Sequence, residues 1–232
     1  MNGIYCGLPP LPKEIWTSWN LDGWLLASLV VLAVLLRRDR AGLAAVFVLS
    51  VAFISPLCAL SSALFSARAV HHVLLVAVAA PLLSLVLRRR TGMSLAPPFV
   101  VSTVTLWLWH LPGAYDLALS NIPVYWIMQL TLLGSATWFW HTVLAGQASP
   151  VERFAYIVAS FAQMGMLGAI LTLMPQPVYA AHSTAPFLWG LTPLEDQQLA
   201  GLVMWVPAGL PYAVAAVFLA RRSWANLKDG VA

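Results

Sequence analysis

The sequence predicts an all-α, polytopic membrane helix bundle of about seven transmembrane helices, and three observations predict it. Hydrophobic residues make up 61% of the 232-residue chain and charged residues only 9%, against roughly 25% charged in a soluble domain. Seven apolar runs approach the ~20 residues that a spanning helix needs. The basic residues fall almost entirely on one side of those runs.

Read in order, the chain starts with an outer N-terminal segment, residues 1–21. Its beginning, MNGIYCGLPPLPKEIW, has neither a basic start nor an apolar core, so it does not read as a cleavable signal peptide. The apolar runs lie at 22–36, 43–60, 70–87, 99–110, 124–144, 154–174 and 199–220, the fourth short unless 94–98 extends it. Arg37, Arg38 and Arg40 follow the first run, Arg88, Arg89 and Arg90 the third, Arg153 the fifth, and Arg221, Arg222 and Lys228 the seventh. Ten of the 12 Lys and Arg thus share one side, with Lys13 and Arg68 opposite. By the positive-inside rule the N-terminus is outside, and the tail 221–232 is cytoplasmic. Residues 1–232 read as a single integral membrane domain whose bundle covers 22–220. The formal charge of +4 is a topology signal that requires no nucleic-acid partner. The lipid bilayer is the partner it does require.

Topology gives each unusual side chain a depth. His71 and His72 open the third run on the outer side, His110 closes the fourth there, and His182 lies in the outer loop 175–193. Asp116 sits in the outer loop after His110. Glu195 and Asp196 open the seventh run, while Cys58 and Met174 close the second and sixth. Only His141 falls near the inner face. Ionisable groups at membrane depth are costly and face a bundle interior or a wet cavity. Each also has a plain reading. Thr192-Pro193-Leu194-Glu195 is a capping box that makes Glu195 structural, and Ser149-Pro150-Val151-Glu152 repeats the pattern. Asp196 is left over by the cap and can favour the helix N-terminus or pair with Arg68. One of Gln197 and Gln198 can hydrogen-bond a neighbouring helix. Adjacent His71 and His72 cannot share one helix face, so at most one looks into the bundle. His110, after Trp107 and Trp109, suits an aromatic belt.

As ligands, imidazoles suit copper, zinc and iron, and thioether or thiolate selects Cu(I). Met164 and Met166 read as packing, and Met174 is the best thioether candidate. Cys58 reads plainly as a small buried hydrophobe, with a disulfide to Cys6 chemically allowed on the outer side. A redox pair or a soft metal ligand is the sharper alternative. There is no Cys-x-x-Cys, His-x-x-x-His or Gly-rich phosphate loop, and no Gly-x-Ser-x-Gly or His-Glu-x-x-His. No enzyme is expected. Pro81 interrupts the third run and Pro207 and Pro211 the seventh, each inviting a kink.

The stretches PLEDQQLAGLVMWVP, WLWHLPGAYDLAL and LFSARAVHHVLLVAVAAPLL resemble the CtaG-like cytochrome c oxidase assembly factors, over roughly residues 56–220. The resemblance implies a bacterial inner-membrane protein that helps to mature a haem–copper oxidase, with copper handling as its role. Carried over by position, it marks His72, His110, Asp196 and Gln197. The family often has a His one turn before the His72 position, where this chain has Arg68, and a His where this chain has Gln129.

The resulting expectation is an assembly factor that holds or passes copper at the outer face, with oxidase subunits and periplasmic copper chaperones as partners. His72, His110 and Asp196 form the core of the expected site, with His71, His182, Met174 and Cys58 around it. Gln197, Glu195 and Arg68 support it. In this reading the imidazoles ligate Cu(I), and Asp196 orients a ligand or offsets charge. A haem-binding electron carrier, with His72 and His110 as axial ligands, is one alternative. A metal-free scaffold that docks oxidase subunits is another. A transporter would need polar residues continuing to the inner half, which offers little beyond His141.

Overall fold

A computed structural model describes residues 5–87 and 92–229, and side chains within 5–87 and 92–221. Arg88–Arg90, Arg222 and Lys228, which carry much of the charge-asymmetry expectation, lie outside the described residues or side chains. Among the described residues the chain is built of helices joined by short turns. After a 3-10 turn, Pro12–Thr17, come α1 (Gly23–Leu36), α2 (Arg40–Phe53), α3 (Pro56–Ala63) and α4 (Phe65–Val73). A π-helical segment, Leu74–Ala79, leads into α5 (Ala80–Val86). There follow α6 (Ala96–Trp109), α7 (Pro112–Ser120), α8 (Ile122–Ala145), α9 (Pro150–Leu173), α10 (Pro193–Trp205) and α11 (Gly209–Asp229).

Every apolar run of the sequence is helical, but fewer helices than seven are long and apolar enough to cross a membrane by themselves. Among the described residues three qualify: Phe65–Val86, Pro150–Leu173 and Pro193–Arg221. A fourth is obtained if α2 and α3, bent by 46°, count as one span. Helices α1 and α6 are apolar but have 14 residues each, about 21 Å at 1.5 Å per residue. That is short of the ~30 Å hydrocarbon core. Among the described residues the chain is all-helical, with three or four candidate membrane spans.

Helix starts follow local chemistry. Asp22, Asp39, Ser55, Asn121, Ser149 and Thr192 each accept a first-turn amide with the side chain. At Thr192 the capping box is complete, with Glu195 returning a bond to the Thr192 amide at 2.7 Å. The outer-loop reading of Asp116 is corrected: Pro112 and Gly113 open α7 rather than a loop, since proline suits the first helical turn.

Two contacts set the packing around the site. Between α9 and α10, a Cβ on Gly168 would come within 2.6 Å of the Gly201 carbonyl oxygen, so only glycine lets these backbones approach. The π segment is explained by Pro81. In π register the carbonyl of Val76 would accept from residue 81, which as proline has no N–H. The indole of Trp140 on α8 donates to that oxygen instead, at 2.9 Å. In an apolar surrounding such a substitute partner is required.

At one end, the N-terminal segment is tied down by a disulfide between Cys6 and Cys58, 52 positions apart. Tyr5 stacks on Tyr125 with centroids 5.1 Å apart and meets Trp126 edge-on at 4.8 Å. The segment therefore lies against the start of α8.

Candidate functional site

Helix α4 is the centre of the polar end. From Phe65 to His72 every residue except Val70 is buried. This corrects the expectation that only one of His71 and His72 looks inward: protein surrounds α4 on both sides, so both imidazoles are buried. Their ring centroids are 5.9 Å apart. Phe53 meets His71 edge-on at 4.9 Å. His110, at the end of α6, is buried rather than interfacial, and its ring lies 5.7 Å from that of His72.

The hydrogen bonds fix what these rings can do. His110 Nδ1 lies 2.7 Å from the Leu106 carbonyl oxygen. A carbonyl only accepts, so Nδ1 carries the proton and Nε2 keeps a lone pair. That Nε2 is buried without a protein partner, as are both ring nitrogens of His71 and of His72. Buried polar atoms are nearly always paired, so this concentration of free nitrogens marks a site.

His182 behaves differently. Its Nδ1 faces the Ala63 carbonyl oxygen at 3.2 Å, and its Nε2 lies 2.7 Å from the Tyr115 hydroxyl. Nδ1 must donate to the carbonyl, so Nε2 accepts from Tyr115, and neither nitrogen is free. Burial pushes this imidazole down to about 4, helped by the charge of Arg68 and opposed by the bond to Ala63. The folded ring stays neutral while the unfolded one protonates near its usual ~6.5. Stability is therefore lost as pH falls from about 6.5 to about 4, by up to about 3 kcal/mol. Melting His182→Gln beside the parent protein from pH 7 to pH 4.5 tests this. The parent should lose more, and equal slopes would remove His182 from the account.

Asp196 is engaged at the start of α4. Its Oδ2 accepts from Phe65 N at 2.6 Å, and its Oδ1 from Ser66 N at 3.1 Å and Ser66 Oγ at 2.5 Å. It caps α4 from another helix, so its carboxylate oxygens are used as structure. The suggested pair with Arg68 does not form; Arg68 is fully buried rather than exposed outside. Gln197 is structural too, accepting from Val178 N at 2.8 Å and donating to the carbonyls of Leu171 and Gln176. Cys58 is spent in the disulfide, so it offers no thiolate. Met174 closes α9, half-buried. Of the expected set, the structure brings together His71, His72 and His110. Among the described residues no three His, Cys, Asp or Glu side chains converge as a metal-holding group. The site has two close imidazoles and a third beside them.

Sequence reasoning missed Tyr115 and Tyr179. Tyr179 donates to the His110 carbonyl oxygen at 2.8 Å. Phe65 lies between the two histidine groups, 6.5 Å from His110 and 5.8 Å from His182. Only the aromatic composition of these stretches hinted at such a wall.

Fold and site together define an integral membrane protein with a buried, partly unpartnered imidazole cluster at one end of a helical bundle. The model of the cytochrome c oxidase caa3 assembly factor family matches residues 84–226, more than half of the chain. The chain belongs to that family. Membership points to an assembly role with cytochrome c oxidase as the partner, not to catalysis. The matched region includes His110, Gln129, Asp196 and Gln197, while Arg68, His71 and His72 precede it. No curated protein and no solved structure matches the chain.

Proposed function

We propose that the chain handles copper for cytochrome c oxidase at the outer face of the bacterial inner membrane, holding Cu(I) between His72 and His110. The observation that carries this reading is the pair of buried rings 5.7 Å apart, each with an Nε2 that no protein group satisfies. Imidazole suits copper, and Cu(I) accepts two ligands. Zinc in a structural site asks for four and in a catalytic site for three, which the absence of a three-ligand group among the described residues does not support. The Leu106 carbonyl orients the His110 ring through Nδ1, as an outer partner orients a metal-binding imidazole.

The disulfide supports the outer location, because thiols in the cytosol are kept reduced. Both rings are buried, so the ion would exchange through protein contacts rather than by free diffusion. Periplasmic copper chaperones would be the donors and oxidase subunits the acceptors.

Metal content and the visible spectrum of the detergent-purified protein provide the test. Wild type should bind one copper per chain. His72→Ala and His110→Ala should each weaken binding by more than the ~10–100-fold typical of losing an outer partner, and should lower oxidase copper in cells. Unchanged oxidase copper in both variants would refute the reading and leave a metal-free scaffold. A haem band would move the protein to the electron carriers.

A further inference from the structure

Arg68 is fully buried on α4, one turn before His72. Its guanidinium lies 5.3 Å over the Tyr125 ring, and its Nη1 is 3.5 Å from the Tyr125 hydroxyl. Its Nε and Nη2 have no hydrogen-bond partner. The buried acid near this end, Asp196, already accepts three bonds from α4. One turn after Tyr125 on α8, the buried amide of Gln129 has neither its oxygen nor its nitrogen satisfied. On the α4 side, His71 falls on the face of Arg68, three residues later, with both ring nitrogens free.

A buried cation without a counter-charge costs several kcal/mol, and arginine cannot shed its proton to escape that cost. Water can satisfy donors but cannot neutralise the charge, and a second cation would raise the cost. Arg68 and Gln129 both neighbour the Tyr125 hydroxyl, and the Arg68 charge acts on His71, so the unpaired donors of the three suit a negative group.

We propose that Arg68, Gln129 and His71 bind a small monovalent anion, of halide or carboxylate type. Arg68 supplies charge and its Nε and Nη2 donors, Gln129 its amide N–H, and His71 a ring N–H. The Tyr125 ring beneath the Arg68 guanidinium stacks on Tyr5 of the disulfide-anchored N-terminal segment. This proposal does not depend on copper. It also gives the neighbouring imidazoles a balanced surrounding into which a cation can enter.

The test uses the metal-free, full-length protein in detergent, with sodium bromide or sodium formate replacing sodium gluconate at constant ionic strength. Bromide, formate or both should raise the melting midpoint saturably by a few degrees, as a native-state ligand does. Response to bromide assigns a halide and response to formate a carboxylate. Arg68→Gln should abolish the rise, and Gln129→Leu should shift its midpoint to higher anion concentration. If Arg68→Gln does not fold, Gln129→Leu and a bromine anomalous peak beside Arg68 decide. Identical melting in all three salts, or the same rise in the variants, would overturn the proposal in favour of buried water. Because no metal is present, failure here leaves the copper reading standing, and loss of that reading leaves this one standing.

Discussion

Asp196→Ala is expected to destabilise the protein by about 3–5 kcal/mol, because it leaves three buried donors unpaired at about 1–3 kcal/mol each before relaxation. The carboxylate accepts two backbone amides and one hydroxyl at the start of α4. Alanine leaves all three donors buried and unpaired. Because the cap comes from α10, the loss also loosens α4 against α10, which pack together. Asp196→Asn keeps one accepting oxygen but turns an NH2 toward donors, so it should lie between alanine and the parent. Denaturation in detergent, with hydrogen exchange at Phe65 and Ser66, checks this. A variant that melts like the parent would show the cap to be dispensable. The same measurement separates two roles. A structural Asp196 costs stability first, whereas a charge-balancing Asp196 would cost copper at unchanged stability.

Cys6→Ser is expected to cost about 4 kcal/mol by chain entropy, since the bond closes a loop between positions 52 apart. The Tyr5–Tyr125 and Tyr5–Trp126 contacts alone would not hold the segment, as aromatic pairs contribute ~0.5–1.5 kcal/mol each. Limited proteolysis with and without reductant reads this directly. The parent should resist cleavage before Gly23 until reduced, and Cys6→Ser should be cut in either condition. Equal resistance of both would show that ring stacking suffices.

The helices were legible because apolar runs, prolines and capping residues are local signals. Thr192 and Glu195 announce their box within four positions. The role of Asp196 was not legible, because its partners Phe65 and Ser66 lie 131 and 130 positions away and no spacing rule connects them. Arg68 was misplaced for a related reason. Hydropathy assigns each charge to a boundary, while burial depends on which helices surround it. His71 and His72 were both recognised, but the inference that only one of two helical neighbours looks inward assumes that one side is lipid. Around α4 it is not. The seven-span count outran the structure at α1 and α6, whose 14 residues stop short of the membrane's thickness, and at α8, which is long enough at 24 residues but not apolar enough.

The π segment between His72 and Pro81 carries a consequence for geometry. Its widened turn stores one residue more than an α-helix would hold over the same rise. Deleting a single residue there, Val78 for example, would remove the stored residue and return that turn to ordinary winding, with the histidine side and the Pro81 side keeping their faces. The same deletion in the regular winding of α4 would instead turn everything beyond it by about 100°. The π turn is thus a reserve of length, in six apolar residues that can give up one without parting His72 from His110.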